Sequence, residues 1–296
     1  MVKKSCKEIT KNIIRIIISF FLLLVFSSSL ILLVLAPLGK SVLSEQNVKK
    51  TLEEIHYPQG VREDIQAAFE PLCITGGIPK ELTDSFLEEA VTDEELIQPI
   101  LQMYTEETLS LPTAKWKEDF SKRVEEYAST LRKEEVLEMS DEEFETLKAS
   151  FPETADYFIS EIASSVRLSG LFSVLGSVIG LLERLAPYIF LASAVFALFS
   201  GALLVLIRKK KVLFSAYVGF FSAGILFLAP AFLYQATNYV ARLSIEPAYF
   251  KQLIVSLSDV FCQKLLEAGI ALCAVGILFG CLSLFFGTKK EDHNAN

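Results

Sequence analysis

Four long runs with no charged side chain set the limits on what this 296-residue chain can become: 16–39, 188–207, 212–236 and 268–287. Roughly 20 apolar residues in a helix cross a hydrocarbon core of about 30 Å. Each run meets that length. The runs carry most of the apolar residues, which make up 52% of the chain, while the charged residues gather between the first and second runs. A soluble enzyme would spread both kinds along its length, so the sequence predicts an integral membrane protein.

The first run follows Lys3, Lys4, Lys7, Lys11 and Arg15. That arrangement resembles a secretory signal, but the apolar part is longer than a usual signal core and no A-x-A site follows it. An uncleaved signal anchor is expected. A fifth apolar stretch, "VRLSGLFSVLGSVIGLLERLAP", has only the residues between Arg167 and Glu183 free of charge. As a helix that segment measures roughly 22 Å, too short to cross. It is read as an interfacial helix or as an outward continuation of the second span.

Charge sets the parity. Basic residues near span ends favour the cytoplasmic side. They collect ahead of the first run, at Arg208–Lys211, and at Lys289 and Lys290. Four crossings place all three groups on one side, whereas five would separate the first from the others. Between residues 40 and 184 there are 30 acidic and 14 basic residues, against 3 acidic and 11 basic in the segments assigned to the inside.

The expected fold is therefore all-α: a four-span transmembrane helical bundle with a helical extracytoplasmic domain inserted between spans 1 and 2. Its parts are a basic cytoplasmic tail (1–15), span 1 as signal anchor (16–39), an acidic extracytoplasmic domain (40–167) and the non-spanning helix (168–187). Span 2 (188–207), a basic turn (208–211), span 3 (212–236), an extracytoplasmic loop with an amphipathic helix (237–267), span 4 (268–287) and a cytoplasmic tail (288–296) complete it. The expected location is a plasma membrane, with both termini cytoplasmic. A bacterial source is compatible with the absence of N-x-[ST] acceptors and the few external cysteines.

The acidic domain reads as helical throughout. Trp116, Phe120, Val124, Tyr127 and Leu131 recur at helical spacing, as do Leu96, Ile97, Ile100, Leu101 and Tyr104. Val48, Leu52 and Ile55 make a third stripe, and Val61, Ile65, Phe69 and Leu72 a fourth. "TDEEL" at Thr92 and "SDEEF" at Ser140 each place a hydroxyl three residues ahead of a glutamate, the pattern of a capping box. Pro112 marks another start and "TGGIPK" a turn. Five to seven helices are expected. In the second loop Pro247 opens a helix with Phe250, Leu253, Ile254, Leu257, Phe261 and Leu265 on one stripe, running on into span 4.

Little of the sequence points to chemistry. The two histidines are His56, at a helix end, and His293, in the tail, so a triad or imidazole metal site would rest on His56 alone. No phosphate loop, zinc-protease or nucleophile-elbow motif occurs. The acids around Glu94 and Asp141 lack the alternating oxygen ligands of a calcium loop and read as helix caps. Cys73 and Cys262 fall on the same side and are candidates for a bridge; Cys6 is a juxtamembrane acylation candidate; Cys273 and Cys281 read as packing residues. No ionisable group lies within any run, which disfavours a coupled transporter. Small residues recur at four-residue spacing instead: Ser193, Ala197, Gly201; Ser215, Gly219, Ala223; Gly276, Gly280.

The leading expectation is a non-enzymatic membrane protein whose acidic helical domain binds an envelope partner or a cationic ligand, in sensing or scaffolding. Alternatives are an oligomeric channel or small-molecule transporter, and a membrane-associated hydrolase. Expected partners are the lipid bilayer, another envelope or membrane protein and a second copy of the chain. No nucleic acid, cofactor, metal or catalytic residue is expected.

Overall fold

The computed structural model describes residues 2–76, 78–101, 104, 111–134, 140–167, 169–208 and 211–288, with side chains placed for these except 2–11, 72–76, 164–167, 169–175 and 287–288. Among the described residues the chain consists of helices and connecting turns, with no strand. Four helices are long and apolar enough to cross a membrane, as the sequence predicts. The chain divides into two compact units: Glu45–Gly180 with Ser244–Ser256, and Met1–Ser44 with Leu181–Leu243 and Leu257–Asn296.

The first unit holds α2 (Glu45–Glu54), α3 (Tyr57–Gly76), α4 (Lys80–Glu89), α5 (Asp93–Leu101), α6 (Thr113–Lys133) and α7 (Asp141–Arg167). Six helices are thus seen among the described residues of this unit, where the sequence leads one to expect five to seven. The stripes read from the sequence are the faces that pack inward: Val48 and Leu52, then Val61, Ile65 and Phe69, then Leu96, Ile97 and Ile100, then Trp116, Phe120 and Val124 are all buried. Side chains at i, i+3 and i+4 share one side of a helix, so apolar residues at those intervals bury together.

A chain of rings ties the helices to one another. Phe69 of α3 stacks on Phe158 of α7 at 4.8 Å between centroids, Phe158 on Phe120 of α6 at 5.2 Å, and Phe120 meets Phe86 of α4 edge to face at 5.1 Å. Such pairs contribute roughly 0.5–1.5 kcal/mol each beyond the area they bury.

Both expected capping boxes form. Glu95 accepts from the Thr92 backbone N–H at 2.9 Å while its own N–H donates to the Thr92 hydroxyl at 3.3 Å. Ser140 and Glu143 make the same pair at 2.8 and 3.3 Å, and the Ser140 backbone N–H first and its hydroxyl second, both donating to the Glu143 carboxylate, hold it below its ordinary range. Each box satisfies amide donors that a helix start otherwise leaves orphaned. At the other end of the α6–α7 connection Arg132 pairs with Asp141 and lies over the Phe144 ring at 4.8 Å.

The second unit is built from α1 (Val2–Val42), α8 (Ser169–Arg208), α9 (Val212–Thr237) and α10 (Ala248–Thr288), the first turns of α8 and α10 belonging to the first unit. The stretch 168–187 is not a separate element from residue 169 onward: α8 continues unbroken through Glu183, Arg184 and Pro187. One continuous helix can cross a bilayer only once. At 1.5 Å per residue α8 and α10 are each roughly 60 Å long, about twice the length that a crossing of the hydrocarbon core needs.

Contacts along the helices give their directions. Ser27 of α1 bonds Ser222 of α9 at 2.9 Å, and later in both helices Ile31, Val34, Leu35 and Leu38 pack against Phe227 and Ala231. These two therefore run parallel. Arg15 donates to the Ile207 carbonyl, and Gly39 lies beside Leu182, which sets α8 antiparallel to α1. Gly280 beside Tyr217, Gly276 beside Phe221 and Gly224 beside Gly269 set α10 antiparallel to α9. The four alternate up and down, bringing Arg15, Arg208, Lys211 and the end of α10 to one end of the unit.

Candidate functional site

An open cleft of about 730 Å³ lies in the first unit. Its floor is apolar, with Leu52 and Ile97, and its rim carries the carboxylates of Glu53, Glu88, Asp93 and Glu94 beside Lys49, His56 and Arg62. Four helices contribute: the end of α2, the start of α3, the end of α4 and the first turn of α5. Acids cluster there for a local reason, since Asp93 and Glu94 occupy the first turn of α5, where the helix dipole favours negative charge.

Arg62 is the structural member of the group. Its guanidinium donates to the Leu87 carbonyl at 3.2 Å, the Val91 carbonyl at 2.7 Å and Asp93 Oδ1 at 2.5 Å. Leu87 and Val91 are fully buried, so these bonds satisfy backbone acceptors at the end of α4 and pin the α4–α5 connection to α3. With Arg62 and Asp93 matched, exposed Glu53, Glu88 and Glu94 face one remaining lysine, Lys49. The cleft is acidic on balance. Arg62→Ala should lower the stability of this unit by about 2 kcal/mol, since charge-assisted bonds contribute roughly 1.5–3 kcal/mol and two buried carbonyls lose a partner. Urea titration of the detergent-solubilised chain, followed by Trp116 emission, measures it. Arg62→Lys should restore little, because an ammonium cannot present the guanidinium fork.

His56 sits where the sequence puts it, just past the end of α2, and its backbone is left-handed with φ of 52°. Its N–H bonds the Glu53 carbonyl at 3.1 Å, and its own carbonyl accepts from Gln59 and Gly60 at 3.1 and 3.2 Å. The residue thus turns the chain from α2 into α3, a conformation histidine tolerates better than most residues. It lines both the cleft and a second depression of about 390 Å³ beside Glu63, Asp64 and Tyr249. No serine, threonine or cysteine is among the described lining residues of either.

Tyr249 was not singled out by the sequence. Its ring meets the buried Tyr57 edge to face at 5.1 Å, and a Cβ on Gly60 would come within 2.7 Å of the Tyr249 Cβ. The glycine lets the first turn of α10 approach α3. Burial first, and the neighbouring Tyr249 second, push the Tyr57 phenol well above its ordinary range. Tyr57 stays neutral as a packing residue.

Cys262 is a buried free thiol, and Cys273 and Cys281 are also free. The side chains of Cys73 and Cys6 lie outside the described residues, as does His293. Among the described residues no group of three histidine, cysteine or acidic side chains could hold a metal ion; Asp93, Glu94 and Asp141 stand in first helical turns.

The small-residue faces of the apolar helices are filled from within the chain. A Cβ on Gly219 would lie 2.6 Å from Phe26, and Gly201 also borders Phe26. Phe220 stacks on Phe279 at 5.6 Å. Ser29 and Ser200 bond back to carbonyls in their own helices. By contrast, large apolar groups such as Leu198, Leu284 and Phe285 are 75%, 72% and 77% exposed. Apolar surface of that extent is compatible with a multi-pass membrane protein. Comparison with family models, curated proteins and solved structures yields no match.

Proposed function

We propose that this chain is a multi-pass membrane protein whose Glu45–Gly180 unit lies outside the cytoplasm and uses its acidic cleft to bind a basic segment of an envelope partner or a cationic ligand, in sensing or scaffolding. The carrying observation is the cleft: three exposed glutamates from three helices border a floor made by Leu52 and Ile97. A cationic chain with aliphatic stems matches both features, the stems covering the floor while the heads meet carboxylates. The side of the membrane is argued from charge. Basic residues flank the apolar runs in the sequence at Lys3–Arg15, Arg208–Lys211 and Lys289–Lys290, and Arg15, Arg208 and Lys211 share one end of the second unit, which favours that end as cytoplasmic.

Two measurements test the two halves. In a cysteine-free background, Lys122→Cys should react with a membrane-impermeant maleimide in intact cells, and Lys210→Cys only after permeabilisation; the reverse pattern would refute the orientation. For binding, a fluorescent oligolysine should associate with the purified chain more tightly than an oligoglutamate of equal length. Replacing Glu53, Glu88 and Glu94 with glutamine should weaken it by roughly tenfold, about 1.4 kcal/mol. Equal binding of both peptides, or no effect of the triple substitution, would refute the cleft as the site.

A further inference from the structure

We propose that the ligand of the acidic cleft carries two ammonium heads on an aliphatic stem, and that the depression beside Glu63, Asp64 and Tyr249 seats the second head. This rests on the cleft reading above and adds the class of ligand. Both hollows lie wholly in the first unit, since the turns of α10 that hold Ala248, Tyr249 and Gln252 belong to it. One helix separates them. Successive residues of α3 turn by about 100° around its axis, so the order around the helix is Pro58, Arg62, Gln59, Glu63, Ala67, Gly60, Asp64. The first three line the cleft, and Gln59 with the last four lines the depression. Gln59 is therefore the ridge between the two, and His56, which turns the chain into α3, borders both. The Gln59 amide donates to Glu63 Oε1 at 3.0 Å, which holds that carboxylate at the edge of the depression.

The two hollows repeat one chemistry. In the cleft glutamates stand over Leu52 and Ile97; in the depression Glu63 and Asp64 stand beside Ala67, Ala248 and the Tyr249 ring. Carboxylates that border apolar surface match an ammonium on a methylene stem, the stem covering the surface while the head meets the acids. The volumes, about 730 and 390 Å³, both fall in the range of ligand pockets, roughly 300–1,000 Å³. A helix with its side chains measures about 10–12 Å across, so heads on adjacent flanks of α3 stand roughly 10 Å apart. A free polyamine spans that distance. So do two lysines close together in an extended chain, which rises about 3.3 Å per residue before the side chains add their reach. Once the first head is seated, the stem presents the second at high effective concentration across the shared ridge.

Titration calorimetry of the full chain in detergent tests this with two pairs of probes: spermidine against butylamine, and acetylated, amidated Lys-Gly-Lys against the same peptide with its last lysine replaced by glycine. Each probe with amines at both ends should bind at least roughly fivefold more tightly than its one-headed counterpart. Glu63→Gln combined with Asp64→Asn should bring that ratio close to one. Glu142→Gln combined with Glu145→Gln, on α7 and absent from the lining of either hollow, should leave the ratio as it is. Trp116 emission reports that each variant is folded. Tighter binding of the peptide than of spermidine would assign the stem to a partner's chain, and the reverse order to a free polyamine; either order supports two heads. A ratio near one in the unsubstituted chain, or a fall of equal size in the two double variants, would overturn the proposal and leave the cleft standing. No binding of any probe would refute the cleft reading and this inference with it.

Discussion

Trp116→Ala should destabilise the Glu45–Gly180 unit by about 4 kcal/mol, the range for emptying a buried aromatic position. Trp116 is fully buried, and its indole N–H donates to Glu95 Oε2 at 3.2 Å. That carboxylate also closes the Thr92 box and faces Lys115 at 3.8 Å, so the substitution leaves a cavity and removes one anchor of the α5 start. Such a loss is a large fraction of a domain's total stability, roughly 5–15 kcal/mol. Hydrogen–deuterium exchange of α5 and α6 in detergent reads the effect without the lost fluorophore: both should lose protection together. Protection unchanged in either helix would show that the ring packs less tightly than its burial implies. Trp116→Phe should recover most of the packing but not the bond to Glu95, at a cost of about 1 kcal/mol.

Gly224→Val should force α9 and α10 apart, with an effect of about 3 kcal/mol at the upper end of the overpacking range. A Cβ there would lie 2.5 Å from Cys273 Sγ, 2.8 Å from the Gly269 carbonyl oxygen and 2.9 Å from the Cys273 backbone nitrogen. Two of those neighbours are backbone, so no rotamer change relieves the clash. Cys273, which packs at this contact and reaches the Phe221 carbonyl at 3.9 Å, supplies the readout. In the variant its thiol should react with a maleimide at least roughly tenfold faster, and the midpoint of detergent denaturation should fall. Gly180, with nothing within 4 Å of its would-be Cβ, is the control: Gly180→Val should leave both unchanged. Equal reactivity in the two variants would mean that the α9–α10 contact tolerates a side chain.

Much of the first unit was legible because its information is local. The intervals in Trp116, Phe120 and Val124 announce a buried face, and a hydroxyl three residues ahead of a glutamate announces a helix start; both depend only on helical geometry. Two faces escaped notice. Phe86 and Leu87 of α4 are buried in a helix of ten residues, too short for its stripe to repeat. Phe151, Ala155, Phe158 and Ile162 of α7 are buried in a helix that contains Pro152, and no stripe was read there. The cleft was illegible for another reason. Glu53, Glu88 and Glu94 each look like ordinary solvated acids in a chain rich in them, and only the packing of four helices sets them around one depression.

What the sequence determined by itself was the helical character, the number of runs able to cross a membrane, the helix starts and the uneven distribution of charge. Each follows from spacing or composition within one segment, where backbone hydrogen bonding and side-chain hydrophobicity act over a few residues. Tertiary structure decided which glycine meets which partner, that α8 runs unbroken from Ser169, that Tyr249 belongs with α3, and that Arg62 joins α3 to the α4–α5 connection. Those depend on surfaces meeting across long stretches of chain, and a close-packed interior selects among them by shape, which a linear pattern of residue types does not carry.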